Sequence, residues 1–479
     1  MSPVRQFLAR PARASRLAAS LAACASLWGC LGNTGSSQLP PSGVATTSGD
    51  AMFSVSWNQQ PGIDYWVFLS QNPILTATNY ADLADGRALI DSNSPTTVCN
   101  QQTYLLGGAV SYTVLNGGQP TFITINARTG SAPGGPGSPL VSAAGRAAGD
   151  VWAGSAQVGG TVRAVGYAGL TPCGSYGRPP SGQFVAVGGG GAVFTATWIP
   201  VVAGLPAQPT TALAWTQIAT PPGFSVNLNA VTGRYAGITA LGTPVARYVA
   251  VGDAGGILSS SDGGAAVWTV GGTGVTNANL HAVTAGASGQ FIAVGDTGTI
   301  IESSDGISWV TAGQGVTLEN LHSVRCGVSA CIAAGANGTI VGSSTLSSTW
   351  SALPSPGANN WTAVGYGDTN INADYLSVGN GLYNIDTWVL GDDQGNFAYS
   401  VNAGQSWTLG SIPGAGPIVA IEYTSRFLAL DALGNVFASE DGRNWKPGQQ
   451  TGVPQPVSMV GTGSGFLVSD STGATAISF

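Results

Sequence analysis

Apolar and polar residues alternate in one repeating pattern through most of the chain. In Phe291–Trp309 an apolar strand leads into a Gly-Asp-x-Gly turn, a second alternating strand, a Ser-x-Asp-Gly turn and a closing Trp. The pattern recurs at Tyr248–Trp268, Cys331–Trp350, Trp388–Trp407 and Phe427–Trp445. Short alternating segments between Gly-rich turns are typical of antiparallel strands. The chain is therefore predicted to contain an internal β repeat.

The size of the repeat indicates its architecture. Its core unit is about 40 residues long, as expected for a four-stranded propeller blade. The seventh repeat ends at Phe479 without a fourth strand, and Gly149–Ala153 is predicted to supply that strand, because such closure removes exposed sheet edges. We predict an all-β fold with a seven-bladed propeller, six or eight blades being the alternatives. The closing residues are Trp215, Trp268, Trp309, Trp350, Trp407 and Trp445, and seven first strands start at 162, 228, 280, 321, 361, 418 and 457.

The segment before the repeats has a different strand pattern. Ala51–Trp57, Asp64–Ser70, Ser111–Leu115 and Thr121–Arg128 read as strands joined by turns, which predicts a β-sandwich. The predicted organisation is a signal segment over 1–30, a flexible linker over 31–50, the sandwich over 51–139 and the propeller over 140–479.

The composition narrows the classes of partner. Charged residues make up 8% of the chain, the formal net charge is −7 and Gly accounts for 72 residues. An average globular chain has about 25% charged residues. Because the body of the chain carries no basic cluster, nucleic-acid binding is not expected.

The N-terminus has the pattern of an export signal. A basic region that includes Arg5 and Arg16 precedes an apolar run from Leu17 to Gly29, which is too short to span a membrane. The run ends in cysteine and resembles a bacterial lipoprotein signal. The resemblance implies lipidation at Cys30, with Cys24 as the alternative, and a location in the cell envelope, at the outer membrane. An ordinary cleaved signal is the other interpretation.

Two further cysteines flank a predicted hairpin turn. Cys326 and Cys331 should lie opposite each other, and an export compartment permits oxidation, so a Cys326–Cys331 disulfide is predicted. Cys99 and Cys173 fall in different predicted domains, and whether they pair stays open. No Cys-x-x-Cys or histidine cluster has metal-ligand spacing, so neither a metal nor another cofactor is predicted.

The turn motifs resemble Asp-box (BNR) repeats, which occur in sialidase-type and photosystem II assembly factor-like propellers. In such a turn the acidic or amide side chain binds turn backbone and the Trp packs between blades, so these residues are predicted to be structural. The N-terminal segment resembles a fibronectin type III domain through Trp57, Tyr65–Val67 and Phe122–Ala127, with Phe122 where that family usually has Tyr. The predicted Asp-box residues are Asp262, Asp305, Asn402 and Asp441, together with Trp268, Trp309, Trp350, Trp407 and Trp445.

The second residue of each first strand forms a candidate binding ring. The innermost strands of a propeller line its central channel, so one register position should form a circle of side chains. The following position is small in six blades, which suits crowding near the axis. The ring either hydrates the channel or forms a recognition site, and a His281–His322 metal pair is a weaker alternative. Its predicted members are Arg163, Asn229, His281, His322, Thr362, Val419 and Ser458.

The sequence favours binding over catalysis. A sialidase-like enzyme would need a cluster of arginines and two carboxylates that face one cavity. Neither arrangement can be recognised in the sequence. We expect a non-enzymatic envelope scaffold that recognises a protein or a glycan through one propeller face. The alternatives are a sialidase-like carbohydrate-active hydrolase and a purely structural surface lipoprotein.

Overall fold

The computed structural model describes most of the chain after residue 37. The signal segment lies outside the described part, with Cys24 and Cys30, and so do Cys99, Cys173 and Asp262. Within the described part, no helix is long and apolar enough to cross a membrane. The described residues are 38–49, 52–58, 60–83, 87–91, 103–106, 109–113, 120–129, 134–144, 147–169, 182–198, 213–238, 244–260, 267–286, 289–344, 349–369, 385–424, 426–462 and 465–478.

The N-terminal region is a sandwich of two four-stranded antiparallel sheets. Its strands are β1 Ala45–Gly49, β2 Met52–Ser56, β3 Asp64–Ser70, β4 Arg87–Asp91, β5 Thr103–Leu106, β6 Ala109–Thr113, β7 Thr121–Arg128 and β8 Val141–Ala143, with a 3₁₀ turn at Tyr80–Asp82. One sheet has the order β1-β2-β6-β5 and the other β4-β3-β7-β8. Val55 and Trp57 of the first sheet pack against Tyr65, Val67 and Ile125 of the second in one buried core.

The sandwich extends past its predicted bounds at both ends. Ala45–Gly49, assigned to the linker, pairs with β2, and Val141–Ala143, assigned to the propeller, pairs with β7. Ala45–Gly49 is mostly polar and Val141–Ala143 is only three residues long, so neither has the sustained apolar alternation that marks a strand in a sequence.

The rest of the described chain forms seven four-stranded antiparallel sheets, which we call blades 1 to 7. Blades 1 to 6 each use four consecutive strands, and blade 7 combines three consecutive strands with an earlier one. The strands are β9 Trp152–Ser155; β10 Val162–Gly169, β11 Gly182–Gly188, β12 Val193–Trp198 and β13 Thr216–Ile218 (blade 1); β14 Leu228–Ile238, β15 Pro244–Gly252, β16 Ile257–Ser260 and β17 Thr269–Val270 (blade 2); β18 Leu280–Ala285, β19 Phe291–Gly295, β20 Ile300–Ser303 and β21 Val310–Ala312 (blade 3); β22 Leu321–Cys326, β23 Ala330–Gly335, β24 Ile340–Ser344 and β25 Ser351–Ala352 (blade 4); β26 Trp361–Thr369, β27 Ile385–Asp392, β28 Asn396–Ser400 and β29 Thr408–Ser411 (blade 5); β30 Ile418–Tyr423, β31 Phe427–Asp431, β32 Val436–Ser439 and β33 Lys446–Pro447 (blade 6); and β34 Pro456–Gly461, β35 Phe466–Asp470 and β36 Thr475–Ser478 (blade 7, completed by β9).

The blades close into a ring. Each first strand contacts the first strand of the next blade, and β34 of blade 7 contacts β10 of blade 1. The outermost strand of blade 7 is β9, which pairs with β36 from Ser155↔Thr475 to Trp152↔Ser478. The predicted closing strand is therefore confirmed, as are the all-β class and the sandwich-then-propeller architecture.

The stability of the ring comes from a separate apolar core between each pair of neighbouring blades. The second strands are buried on both faces, which explains their continuous apolar runs. In β19, Phe291 and Ala293 pack against blade 2, whereas Ile292 and Val294 pack against blade 4. Full burial of a side chain such as Phe291 contributes about 1.5–3 kcal/mol.

The two faces of the ring differ in the turns that they carry. The turns between second and third strands lie on what we call the upper face, and four of them contain 3₁₀ turns: Gly189–Gly191, Asp253–Gly255, Asp296–Gly298 and Ala336–Gly338. The described turns between first and second strands and between third and fourth strands lie on what we call the lower face.

Candidate functional site

Every first strand is interrupted by a bulge at its second residue. In blade 2, Leu228 pairs with Gly252 and Ala230 with Val251, so Asn229 has no pairing partner. A bulge turns the side chain of the extra residue away from the regular sheet faces. The seven bulge residues form a ring at the upper mouth of the channel: Arg163, Asn229, His281, His322, Thr362, Val419 and Val457.

The ring differs from its prediction in blade 7. The comparison of the seven repeats in the sequence takes Val457 as the first residue of the strand and Ser458 as the ring member. In the structure β34 starts at Pro456, which pairs with Asp470, and the bulge is at Val457. The alignment is wrong by one residue because Pro456 does not resemble the Leu or Val that opens the other first strands.

Ser458 instead occupies the small position that follows the bulge. Its Oγ accepts a hydrogen bond from the N–H of Val165 in blade 1, at 3.1 Å. Ser323 of blade 4 accepts a bond from the N–H of Val364 in blade 5 in the same way, also at 3.1 Å. In these two blades the position therefore joins neighbouring first strands through a hydrogen bond.

Arg163 and Asn229 are connected to a carboxylate at the mouth. The Arg163 guanidinium donates to Asn229 Oδ1 at 2.6 Å, and Asn229 Nδ2 donates to Asp253 Oδ1 at 2.7 Å. Hydrogen bonds from Asn229 and Asn227 lower the pKa of Asp253, assisted by the charges of Arg163 and His281. Asp253 is therefore ionised at neutral pH. Arg163 is its ion-pair partner at 3.9 Å and keeps a side-chain exposure of 45%.

The two histidines are neighbours in blades 3 and 4. His281 Nε2 lies 2.6 Å from Asp296 Oδ1, and His322 Nδ1 lies 3.2 Å from the carbonyl oxygen of Trp361. The hydrogen bond from His281 is the main reason why the pKa of Asp296 is lowered, so the His281 ring donates and the carboxylate accepts. The ring centroids are 6.2 Å apart. Among the described residues, no group of three or more His, Cys, Asp or Glu side chains could hold a metal ion.

The remaining ring members are not available for polar recognition. The Thr362 hydroxyl lies 2.6 Å from the carbonyl oxygen of Ile418 and 3.2 Å from that of Gly391. Val419 and Val457 are apolar. The hydrogen-bonding capacity of the ring is therefore concentrated in blades 1 to 4.

Four asparagines at the upper mouth of the channel are not among the site residues predicted from the sequence. In four upper turns the second residue has a positive φ and donates its N–H to an asparagine that precedes the next blade's first strand, as Ala254 does to Asn279 Oδ1 at 2.9 Å. Asn279 Nδ2 in turn donates to Asp296 of its own blade at 2.9 Å. The signal in the sequence is an Asn directly before the first strand in four successive repeats. We call these the clamp asparagines: Asn227, Asn279, Asn320 and Asn360.

Two cavities adjoin at Arg163 on the upper face. The central channel has a volume of about 450 Å³, and a cleft between blades 7 and 1 has a volume of about 970 Å³. Arg163 lines both. Asn229 and Ser458 also line the channel, whereas His281, His322 and Thr362 do not. The cleft is lined by Gln157–Arg163, Gly189, Ser471 and Thr472.

An ion pair crosses the lower part of the channel. Arg325 of blade 4 binds Glu422 of blade 6, and both line the channel. The blade between them has Gly365 at the same strand position, where an added Cβ would meet Ile421 Cγ2 at 2.4 Å. The predicted disulfide between Cys326 and Cys331 is confirmed beside this pair.

In blades 3, 5 and 6 an acidic or amide side chain accepts hydrogen bonds from the lower turn before the closing Trp. Asp305 Oδ1 accepts the N–H groups of Ile307 and Ser308, both at 2.8 Å, and the hydroxyl of Ser303 at 3.0 Å. Asn402 and Asp441 accept turn N–H groups in the same manner. All six closing residues pack into or against the cores that they share with the preceding blades: Trp215, Trp268, Trp309, Trp350, Trp407 and Trp445.

Comparison with known proteins bears on the fold alone. No protein-family model matches the sequence, and no curated protein matches it. Similar solved structures include YCF48 bound to D1 peptide (14% identity, TM-score 0.49, 68% of this chain and 96% of that one), YCF48 from Cyanidioschyzon merolae (13%, 0.47, 68% and 98%) and U3-55K (11%, 0.45, 68% and 98%). Because these similarities are low, the propeller assignment rests on the sheets of this chain. The chain is a β-propeller protein with an N-terminal β-sandwich.

Proposed function

We propose that this protein is a non-enzymatic binding or assembly scaffold that recognises a partner protein through the upper face of its propeller. The observation that carries the proposal is the junction of two cavities at one half-exposed cation, Arg163. The cleft would take an extended segment of the partner, and Arg163 would bind an acidic or carbonyl group of that segment. Concave sites with a few convergent polar groups are the usual form of a recognition site.

The lining of the cleft supports a protein partner over a glycan. Gly159, Gly160 and Gly189 expose main chain, while Gln157, Thr161 and Ser471 add polar side chains. Such a surface suits hydrogen bonding to a peptide backbone, as in other modes of peptide recognition. Among the described residues, those that line the cleft include no aromatic ring on which a sugar could stack.

The carboxylates at the mouth support binding over hydrolysis. A glycosidase of the sialidase-like alternative would need one carboxyl group with a raised pKa as its general acid. At this mouth, hydrogen bonds from Asn229 and His281 lower the pKa values of Asp253 and Asp296 respectively. Both groups are therefore held as acceptors and not as proton donors.

The location and the family assignments are part of the proposal. The basic region and apolar run before Cys30 support export and a lipid anchor at Cys30, or at Cys24, in the outer membrane. Partition of the protein into a detergent phase should be lost in the matching Cys→Ser variant. The hydrogen bonds of Asp305, Asn402 and Asp441 support Asp-box repeats, and the strand orders β1-β2-β6-β5 and β4-β3-β7-β8 support a fibronectin type III-like sandwich.

The test is capture of partners from an envelope extract by the intact protein and by two cleft variants. Gly159→Val should fill the cleft without disturbing the fold, because an added Cβ would meet only Phe194 Cε1 at 3.8 Å. Arg163→Gln removes the cation. We expect each variant to lose at least about 90% of the specifically captured protein, which corresponds to about 1.4 kcal/mol of binding free energy.

The matched control is Gly154→Val on the outermost strand of blade 7. An added Cβ at Gly154 would have no atom within 4 Å, so the substitution changes exposed surface away from the cleft. Capture that is equal for wild type, both cleft variants and the control would refute the proposal. Binding to a glycan array without protein capture would favour the hydrolase alternative.

A further inference from the structure

Two arginines lie directly opposite each other on the lower half of blade 2. Arg234 of β14 pairs with Arg247 of β15 in the antiparallel register. Directly opposed residues of an antiparallel pair project from the same face of the sheet, and like charges in this arrangement are destabilising. Such a pair needs a compensating interaction.

Both guanidinium groups are held in the groove between blades 2 and 3. The Arg234 Cζ lies 5.0 Å from the centroid of the Phe291 ring of blade 3. Arg247 donates from Nη1 to the carbonyl oxygen of Asp305, also in blade 3, at 2.8 Å. These contacts fix the positions of the two cations without neutralising either of them.

Within the described part of the chain, each arginine lacks an acidic partner and has one unsatisfied N–H group. Neither arginine forms a salt bridge with an acidic side chain there. The Nε atoms of both are buried and have no hydrogen-bond partner. Burial, together with the Arg247 charge, lowers the pKa of Arg234, because both make its positive charge costly. Buried N–H groups of native proteins normally have an acceptor.

We propose that Arg234 and Arg247 form a binding site for a doubly charged oxyanion, that is, a phosphate or sulfate group. Two guanidinium groups present several N–H donors in planar forks that match such oxygens. A phosphate group carries about −1.5 to −2 charges at neutral pH, which balances two arginines, whereas one carboxylate would leave a positive charge. The site lies on the lower face and is independent of the upper-face function proposed above.

The test is calorimetric titration of the intact protein with inorganic phosphate and with sulfate at constant ionic strength, using chloride and acetate for comparison. We expect saturable binding of phosphate and sulfate and at least tenfold weaker binding of acetate. Arg247→Gln and Arg234→Met should each weaken phosphate binding at least tenfold. Arg234→Met keeps apolar contact with Phe291, so it remains a usable test variant if Arg247→Gln does not fold.

The matched control is Arg443→Gln in blade 6. Arg443 also stacks on an aromatic ring, Tyr399, with Cζ 5.1 Å from the centroid, and its Nε is also buried without a partner, but no second arginine is paired with it. This control should bind phosphate as wild type does.

A second measurement separates a binding role from a purely structural one. In chloride the melting temperature of Arg234→Met should equal or exceed that of wild type, because the repulsion is removed and apolar contact with Phe291 is kept, whereas phosphate should no longer raise it. Absence of saturable phosphate binding to wild type, equal binding by the two site variants and wild type, or acetate binding as tight as phosphate binding would each overturn the proposal.

Discussion

At the scale of single residues, one side-chain type performs different tasks according to the backbone around it. Asp305 accepts turn N–H groups on the lower face, whereas Asp296 accepts from the ring of His281 on the upper face. Both carboxylates have a lowered pKa for the same reason, because hydrogen bonds favour the charged form. Asn402 holds its own turn without a charge. The turn therefore requires an acceptor and not a negative charge.

Substitution of Asp305 should distinguish these two requirements. Asp305→Ala should lower the free energy of unfolding by about 1–3 kcal/mol, because two N–H groups and the Ser303 hydroxyl lose their acceptor. Asp305→Asn should cost less, since an amide oxygen still accepts. Hydrogen bonds from the Ser308 and Ile307 N–H groups hold the folded pKa of Asp305 below its unfolded value of about 3.9.

The stability that Asp305 contributes by ionisation is present above the unfolded pKa and lost as the pH falls through the folded pKa. Urea unfolding at pH 6 and pH 3 measures it. Asp305→Asn should lose less stability than wild type over this interval. An Asn variant that is as unstable as the Ala variant at pH 6 would show that the charge itself matters.

At the scale of elements, the upper turns and the first strands are built as one unit. Gly295 ends β19 where a Cβ would lie 1.9 Å from the carbonyl oxygen of Asn279, so a side chain there would force the two strands apart. This close approach places Asn279 beside both turns that it joins, that of blade 2 through Ala254 and that of blade 3 through Asp296. The clamp asparagines thus connect successive blades at the rim of the channel.

Asn279→Ala should lower the free energy of unfolding by about 1–2 kcal/mol, because it removes two hydrogen bonds. Asn279→Asp should lower the free energy of unfolding at least as much at neutral pH, since it places a second carboxylate beside Asp296. Chemical denaturation measures both. Gln314→Ala, which removes an exposed hydrogen bond to Thr311, is the control and should be nearly neutral. If Asn279→Ala is also neutral, the clamp has no energetic role.

At the scale of the whole molecule, the ring is closed by residues that are far apart in sequence. Arg426 of blade 6 is 7% exposed, donates from Nε to the carbonyl oxygen of Ala148 at 2.8 Å and binds Asp150 through Nη2. Its Nη1 lies 3.7 Å from Glu440. The segment that leads into β9 is therefore bound to blade 6, and β9, which follows it in the chain, pairs with blade 7.

Arg426→Met should weaken this closure. Breaking a buried ion pair costs about 3–5 kcal/mol, and because Asp150 and Glu440 remain half-exposed we expect about 2–3 kcal/mol. Limited proteolysis should then cleave the segment before β9 sooner than in wild type. The control is Lys446→Gln on an exposed outer strand of the same blade. Proteolysis at the wild-type rate in Arg426→Met would show that β9 pairing alone holds the ring.

Local sequence patterns were enough to predict the features of this protein that depend on neighbouring residues. Alternation, turn composition and the recurring Trp predicted the strands, the repeat and the Cys326–Cys331 hairpin, and an incomplete seventh repeat predicted closure by β9. These features follow from local backbone geometry and from the need to cover sheet edges.

Which side chains meet, in contrast, became known from the folded structure. It placed the blade 7 bulge at Val457, joined the channel to the cleft at Arg163 and set Arg234 opposite Arg247. A bulge shifts register by one residue without changing the apolar pattern that marks the strand. Contacts between blades depend on packing between segments that are tens to hundreds of residues apart, and no local pattern in the sequence records them.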